Sequence, residues 1–372
     1  MFSKQKTILS HSTYEKFTGM DSGSPAPYTE DYNSTYSDDY SDYYENPLDN
    51  QLCDKSDIIK FGAVVTPVFL WIVTLLSLFG NSLVLVILTK YENLKSLTNI
   101  FILNLALSDL LFTFGLPFWA LYHIHGWTFG DEACKAVSFL FYAGFYSSII
   151  FLTIMTIHRY LAVVHPLSDL GSKRLCYGSV TSSAVWIVSC LAAVPALVMH
   201  KVKTDRGVQY CEYTDKRWKI GGTYQQNFLF LIALCVITFC YVKILGTLLR
   251  SRSHTRYRTV KLIFTIAVVF FLGWAPYNVL IFLKSLTDIG GIWPFTECPI
   301  SKGIDSAFYI CRLVAFSHCC LNPVFYVLVG VKFRSHLKKL LKKLWFCQAG
   351  SVDIQHRSSR AVHSNGEELS LY

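Results

Sequence analysis

Long blocks without charged side chains recur along this chain of 372 residues. Five blocks contain no Asp, Glu, Lys or Arg, and they cover residues 61–89, 136–157, 175–199, 220–242 and 262–283. Two more apolar stretches, residues 97–121 and 303–329, carry only Asp109 and the pair Asp305 and Arg312. A helix needs about 20 apolar residues to cross the hydrocarbon core of a bilayer. The pattern therefore predicts seven transmembrane helices, because the buried helices of a soluble protein rarely run so far without charge.

The flanking segments complete the predicted organisation. Residues 1–60 are acidic and lack apolar periodicity, which is typical of a disordered tail. Residues 61–330 form the seven-transmembrane bundle. In residues 331–347 apolar side chains recur at helical spacing among lysines, which predicts a short amphipathic helix on the membrane surface, and residues 348–372 read as a disordered polar tail. The predicted fold class is an all-α membrane protein, a seven-transmembrane helix bundle with a short amphipathic eighth helix.

The basic residues orient the bundle. Residues 250–261 and 330–347 are rich in Lys and Arg, and such loops stay in the cytosol. This predicts a plasma-membrane protein with an extracellular N-terminus, where Asn33 begins a glycosylation sequon, and a cytoplasmic C-terminus. The basic segment 200–219 departs from the rule and is still expected outside. Residues 1–19 are polar, so residue 61 onward is expected to engage the translocon first. The net charge of +9 then reflects topology and membrane lipids, and nucleic-acid binding is not expected.

Several polar side chains interrupt the apolar spans. Asn81, Asp109 and Asn322 lie in the first, second and seventh spans, and an ionisable residue inside a membrane is expensive unless it is paired or functional. We expect Ser148 and His318 to share the site of Asp109, together with a small cation such as sodium and water. The alternative is a polar cluster that only packs the helices.

These positions belong to a set of motifs that resembles the rhodopsin-like G-protein-coupled receptors. The motifs are Asn81, Asp109, the Arg159–Tyr160 pair, Trp186, the run GWAPYN that contains Trp274, and the run NPVFY that contains Asn322, Pro323 and Tyr326. They occur in order, one to a span except in the fifth span, which has no proline but keeps the tyrosine that the family places at its cytoplasmic end, Tyr241.

Narrower features resemble the chemokine receptors. They are the run GWTFGDEAC, Pro117, the run FSHCCLNP and an additional pair of extracellular cysteines. Longer segments, such as KYENLKSLTNIFILNLALSDL and GVKFRSHLKK, are similar to the receptors for C-type chemokines. The resemblance implies a basic chemokine ligand, an inhibitory-type heterotrimeric G protein, and receptor kinases and arrestin acting on the serine-bearing tail. It implies neither an enzyme nor a cofactor.

The cysteines in predicted extracellular segments allow three pairings by sequence alone. The resemblance pairs Cys134 with Cys211 and Cys53 with Cys298. Cys347, directly after the predicted amphipathic helix, is a palmitoylation candidate, the alternative being a free cytosolic thiol.

The ligand is expected to make contact at two places. Tyrosines flanked by Asp and Glu in the N-terminal tail are candidates for sulfation and would hold a basic chemokine core; they are Tyr28, Tyr32, Tyr36, Tyr40, Tyr43 and Tyr44. The ligand's own N-terminus would enter the bundle among Trp119, Tyr122, Phe141, Tyr142, Tyr277 and Arg312, unless these aromatic rings face lipid or core. Most chemokine receptors have glutamate where Arg312 stands, so we expect an acidic or carbonyl-rich ligand tip or an internal partner such as Asp305.

The resemblance also implies a switch for the G protein. Its candidate residues are His158, Arg159, Tyr160, Tyr241, Phe270, Trp274, Asn322, Pro323 and Tyr326. The family usually places Asp or Glu before the arginine to restrain it at rest, and His158 cannot supply that charge. This departure predicts a loosely restrained switch. It also keeps a decoy receptor, which internalises chemokine without signalling, as an alternative to a transducer.

Overall fold

The computed structural model describes residues 56–94, 96–165, 174–205, 207–250, 254–290, 297–329 and 333–342. Within these ranges six helices are long and apolar enough to cross a membrane. They are α1 (Ser56–Tyr91), α2 (Leu97–His125), α3 (Gly130–Val164), α4 (Arg174–Met199), α5 (Lys216–Arg250) and α6 (His254–Gly290). The seventh span is a bent pair, α7 (Cys298–Phe316) and α8 (His318–Val329), with 46° between its helices. The predicted seven-helix bundle is confirmed.

Helix α3 lies at the centre of the bundle, where it packs against α2, α4, α5 and α6. The ring closes because α7 and α8 both pack against α1. Large apolar side chains such as Phe79, Leu191 and Leu272 are exposed on the outer faces. Lipid tails solvate such side chains, so apolar residues occur both on the outer faces and inside the bundle. Buried polar groups are therefore what distinguishes the interior of the bundle. Helix α5, which has no proline, is continuous from end to end.

The bend between α7 and α8 differs from the single straight span that the sequence pattern suggests. A proline after the bend removes one hydrogen bond of the helix, and side chains of α1 replace it. The carbonyl of Cys319 would normally accept from the amide four residues later, but that residue is Pro323, which has no N–H. The side-chain amide of Asn81 on α1 donates to this carbonyl instead, at 2.8 Å, and the hydroxyl of Ser77 approaches it at 3.3 Å. The first and seventh spans are thereby joined at the point where the helix lacks its own hydrogen bond.

A two-stranded hairpin between α4 and α5 was not anticipated from the sequence. Strands β1 (His200–Asp205) and β2 (Val208–Tyr213) pair antiparallel. Gly207 in the turn has φ of 79°, a conformation that favours glycine. The Cys134–Cys211 disulfide joins β2 to the start of α3, so the hairpin is held over one end of the bundle.

A further helix, α9, covers residues 333–342, within the predicted amphipathic segment. Phe333, His336, Leu337 and Leu340 are partly buried, whereas the lysines at 338, 339 and 342 are exposed. The imidazole of His336 lies 3.1 Å from the carboxylate of Glu92, just after α1. The helix therefore lies against the bundle with its basic face turned outward, as the pattern predicts.

A close approach of α3 to α2 at Gly144 predicts a stability effect. A Cβ built on Gly144 of α3 would lie 2.5 Å from the backbone nitrogen and 2.8 Å from the Cα of Phe112 on α2. Because backbone atoms cannot move aside as a side chain can, we expect Gly144→Ala to destabilise the receptor by about 1–3 kcal/mol, the usual cost of overpacking. Thermal unfolding in detergent measures the effect.

The matched control is Gly246→Ala on α5, where an added Cβ would meet nothing within 4 Å. This variant should be neutral or slightly more stable, because alanine favours a helix by about 1 kcal/mol over glycine. Equal melting temperatures for the Gly144→Ala variant and the unaltered protein would contradict the packing argument.

Candidate functional site

Asp109 is the centre of a buried polar cluster between three helices. Its side chain is fully buried. One carboxylate oxygen, Oδ2, accepts from Asn322 Nδ2 of α8 at 2.7 Å, and the other, Oδ1, accepts from Ser148 Oγ of α3 at 3.2 Å. His318 Nε2 lies 3.9 Å from Oδ1. Ser148, His318 and Asn322 thus surround the carboxylate, whereas the hydrogen bonds of Asn81 go to Ser77 and Cys319.

The oxygen atoms of the cluster are relevant to the predicted sodium site. Asp109 and Ser148 present oxygen atoms that could ligate a small hard cation, which prefers oxygen. His318 donates from Nδ1 to the carbonyl of Ala315 at 2.9 Å, because a carbonyl can only accept, and so its Nε2 is the atom turned toward Asp109. Asp109 and Ser148 are therefore the residues that would hold such an ion, and its binding stays a prediction.

His318 also joins the polar cluster to the predicted aromatic switch. Its ring lies 5.3 Å from both Trp274 and Phe270 and meets each edge to face. Trp274 in turn stacks on Phe270 at 5.9 Å and lies 4.3 Å from Phe145 of α3. A displacement of Trp274 therefore has a direct packing route to Asp109 through one side chain.

An open pocket lies above Trp274, with a volume of about 580 Å³ counting the part open to solvent. Four of the six side chains predicted to receive the ligand line it, namely Trp119, Phe141, Tyr142 and Tyr277. The lining also includes Phe145, His200, Cys211, Tyr213, Gln226, Trp274 and Phe316. Sequence reasoning named Trp274 as a switch residue and Cys211 as a disulfide partner but placed none of these residues in the pocket. Periodicity does not tell which face of a buried helix meets a cavity, and the hairpin that supplies three of them was not anticipated.

The other two predicted residues, Tyr122 and Arg312, are outside that lining. Arg312 is 2% exposed, and its Nη2 lies 3.1 Å from His123 Nε2. The guanidinium carbon lies 5.0 Å from the centre of the Tyr309 ring and 5.6 Å from that of Phe308. Asp305, suggested from the sequence as a partner for Arg312, forms an ion pair with Lys284 of α6. Arg312 thus sits in an aromatic and imidazole setting beside the pocket.

At the opposite end of α3, Arg159 donates from Nη2 to the hydroxyl of Thr98, in the first turn of α2. The neighbouring His158 meets the edge of Phe101 at 6.2 Å between ring centres. Tyr160 lies within 3.2 Å of His165 Nε2 through its hydroxyl. Thr98 was missed by sequence reasoning, because nothing in the pattern says which hydroxyl lies within reach of the arginine.

Two tyrosines of the predicted switch are buried near the same end. Tyr241 and Tyr326 are 5% and 3% exposed, and the hydroxyl of Tyr326 has no hydrogen-bond partner among the described residues. Tyr326 packs on Phe333 of α9 at 6.0 Å, and Tyr241 on Phe264 of α6 at 4.8 Å. A buried hydroxyl without a partner is costly, so Tyr326 is placed to gain a hydrogen bond if the bundle rearranges.

Some of the predicted covalent bonds and modifications involve described residues, and the others lie outside them. The Cys134–Cys211 disulfide is present. Cys298 is disulfide-bonded, whereas its predicted partner Cys53 lies outside the described residues. The same holds for Asn33, for Cys347 and for the tyrosines between 28 and 44, so their predicted roles stay predictions.

Comparisons with known proteins agree with this arrangement. The sequence model of the family described as "7 transmembrane receptor (rhodopsin family)" matches residues 80–326. The chain is 49% identical to Chemokine XC receptor 1 from Homo sapiens over 303 residues, which is 81% of this chain and 88% of that protein. It is 48% identical to the Mus musculus protein of the same name, over 82% of this chain and 90% of the relative. C-C chemokine receptor type 4 from Homo sapiens is 38% identical over 86% of this chain and 89% of its own length.

Proposed function

Because the chain belongs to the rhodopsin family of seven-transmembrane receptors, and within it to the chemokine receptors, we propose that it is a cell-surface receptor for a lymphotactin-like C chemokine. Binding of this ligand activates an inhibitory-type heterotrimeric G protein and drives calcium release and chemotaxis. The name of the relatives that are 49% and 48% identical supports an XC-type ligand over a C-C chemokine. The protein acts as a receptor and not as an enzyme.

The observation that carries this proposal is the unbroken contact between pocket and core. Trp274 forms part of the pocket lining and touches His318, which lies beside Asp109. A ligand that fits the pocket better when Trp274 has shifted favours that arrangement of the bundle. Asn322, hydrogen-bonded to Asp109, precedes Pro323 and stands four residues before Tyr326 in α8, so the shift reaches the end where Arg159 lies.

The disulfide supports the proposed orientation, with the N-terminus outside and the C-terminus in the cytosol. Disulfides persist in oxidising surroundings, so the start of α3, where Cys134 is bonded to Cys211, faces outside. Because α1 and α3 run in the same direction, the start of α1 and the acidic tail before it are extracellular too. The exposed lysines of α9 then face the anionic inner leaflet, next to the proposed palmitoylation site at Cys347.

The N-terminal tail supplies the first contact with the ligand. An acidic, sulfated segment would attract a basic chemokine and raise its association rate in a salt-dependent way. Glycosylation at Asn33 falls in the same segment. After activation, receptor kinases phosphorylate serines of the C-terminal tail and arrestin binds there.

A second candidate function rests on His158. An atypical receptor that internalises chemokine without activating a G protein would not need the acidic residue that usually precedes the arginine. The hydrogen bond from Arg159 to Thr98 favours the transducer, because it provides a restraint without that acid.

A panel of recombinant chemokines on transfected cells tests the proposal. We expect lymphotactin to evoke calcium release and to lower cyclic AMP, and pertussis toxin, which uncouples inhibitory-type G proteins, to abolish both responses. Cells that take up lymphotactin without either response would identify a decoy. Silence toward lymphotactin with a response to another chemokine would reject the ligand but keep the receptor class.

A further inference from the structure

The basic segment 200–219, which departs from the charge rule for loops, presents a group of cations on the extracellular end of the bundle. Four of them are exposed: Lys201 and Lys203 on one face of β1, and Lys216 and Arg217 at the start of α5. Lys203 Nζ donates to the carbonyl of Tyr213 at 2.8 Å, which brings the lysines of β1 to the end of β2, three residues before α5 begins. We call these four cations the basic patch.

Neighbouring carboxylates leave the charge of the basic patch uncompensated. Asp131, the acid nearest to the hairpin on α3, is held by Lys135 at 2.7 Å. Among the described residues, the charged groups of Lys201, Lys216 and Arg217 have no carboxylate oxygen within 4 Å. The first turn of α5 contains no acidic residue, although the N-terminal end of a helix favours negative charge. The patch is therefore a place where an anion would be stabilised.

The charge of the patch also decides between its possible occupants. The proposed chemokine ligand is itself basic, so the patch repels it. By contrast, every charged residue between positions 21 and 54 is Asp or Glu. A segment of the same chain acts at an effective concentration of about millimolar, whereas a separate anion must bind from solution. These points favour the acidic N-terminal segment as the occupant.

The acidic segment 28–45 is close enough along the chain to reach the patch. The hairpin packs on α3, which packs on α2, which packs on α1. Two interaxial distances thus separate the hairpin from α1, or about 20 Å. The chain between residue 45 and the start of α1 at Ser56 spans up to about 36 Å when extended. In the proposed orientation both segments lie outside the membrane.

We propose that in the ligand-free receptor the acidic segment 28–45 docks on the basic patch, and that a chemokine must draw this segment away in order to bind it. The hairpin is then an internal competitor of the ligand. Release by a chemokine rests on the proposed function, whereas the docking itself requires only that the two segments lie on the same side of the membrane.

The test measures how a separate peptide binds to the full-length receptor. The peptide comprises residues 28–45 with sulfated tyrosines and a fluorescent label, and its anisotropy reports binding. In a first variant, the acidic residues of the receptor's own segment become glutamine, which creates no new glycosylation sequon: Glu30→Gln, Asp31→Gln, Asp38→Gln, Asp39→Gln, Asp42→Gln and Glu45→Gln. Because this glutamine variant leaves the patch uncovered, we expect it to bind the peptide at least about tenfold more tightly than the unaltered receptor does.

A second pair of changes tests the patch itself. Adding Lys201→Gln and Lys216→Gln to the glutamine variant should weaken peptide binding about fivefold, the effect of losing two exposed ion pairs. The matched control adds Lys60→Gln and Lys302→Gln instead, which removes the same charge near the starts of α1 and α7. The control should leave the peptide affinity unchanged.

Equal peptide affinities for the unaltered receptor and the glutamine variant, or no loss on changing Lys201 and Lys216, would overturn the docking. A heparin oligosaccharide probes the alternative occupant, a sulfated polysaccharide. Heparin binding that is equal in the unaltered receptor and the glutamine variant, and that the patch substitutions abolish, would show that the patch serves an external polyanion and would also overturn the docking. Because the peptide assay contains no chemokine, patch-dependent docking in a receptor that is silent toward lymphotactin would reject the proposed ligand and keep the docking.

Discussion

Replacing Thr98 with valine is expected to raise ligand-independent G-protein signalling about tenfold. Arg159 donates to the Thr98 hydroxyl, and a hydrogen bond that involves a charged group contributes about 1.5–3 kcal/mol. Valine keeps the shape of threonine but cannot accept this bond. Without this bond, the resting arrangement, in which Arg159 is held against α2, is less stable by about 1.5 kcal/mol or more. The population therefore shifts toward the open bundle. Basal G-protein activation at matched surface expression measures the effect.

His158→Asp is expected to act in the opposite direction. A carboxylate beside Arg159 adds an ionic restraint that the imidazole does not provide, and basal signalling should fall. In the double variant, Asp at 158 should offset the loss of the Thr98 hydroxyl and return basal signalling toward that of the unaltered receptor. Thr98→Ser, which keeps a hydroxyl, is the control and should leave basal activity near its starting value.

The hydrogen bond of Arg159 would be irrelevant to the switch if Thr98→Val and His158→Asp both left basal signalling unchanged. A fall in Thr98→Val would show that Thr98 supports the active arrangement. Normal lymphotactin uptake by all variants, with no G-protein activation in any of them, would favour the decoy.

The spans were predictable because membrane solvation forbids charge over lengths that a soluble core never requires. The polar side chains that interrupt those spans were predictable for the same reason. Asp109 is too costly to bury without partners, and the structure provides Ser148 and Asn322. The role of Asn81 was less accessible, because it depends on a carbonyl that Pro323 leaves without its helical partner.

What the sequence could not predict depends on contacts between distant segments. Polar and apolar residues alternate too weakly over 200–213 to predict two strands. For that reason His200, Cys211 and Tyr213 were not recognised as pocket residues. Thr98 and Arg159 are 61 residues apart. Gln226 resembles any polar residue near a span end until the walls of the cavity around it are known.

Loss of the Cys134–Cys211 disulfide is expected to reduce the response to ligand strongly. The bond joins residues 77 positions apart and fixes β2, whose Cys211 and Tyr213 line the pocket, to the start of α3. In the chain-entropy model, closing a loop of this length contributes about 4.5 kcal/mol. Two hydrogen bonds between described residues also hold the hairpin near the junction: Trp127 N donates to the carbonyl of Gln209, and Val202 N donates to the side-chain Oδ1 of Asp131, both at 2.8 Å. We expect Cys134→Ser to lower lymphotactin potency about a hundredfold or more, since these two bonds offset only part of the loss.

Two single variants and a double variant distinguish an effect of the disulfide from separate effects of its two cysteines. Cys211→Ser and the double variant should show the same loss as Cys134→Ser, because the first substitution already removes the whole interaction and the second has nothing left to remove. Cys235→Ser on α5, a free and exposed cysteine, controls for the loss of a thiol and should keep full potency. Surface staining of the N-terminal tail normalises every response to receptor number. A double variant that loses twice the free energy of either single variant would mean that each cysteine acts alone, and retained potency in all three would mean that the hairpin holds its place over the pocket without the disulfide.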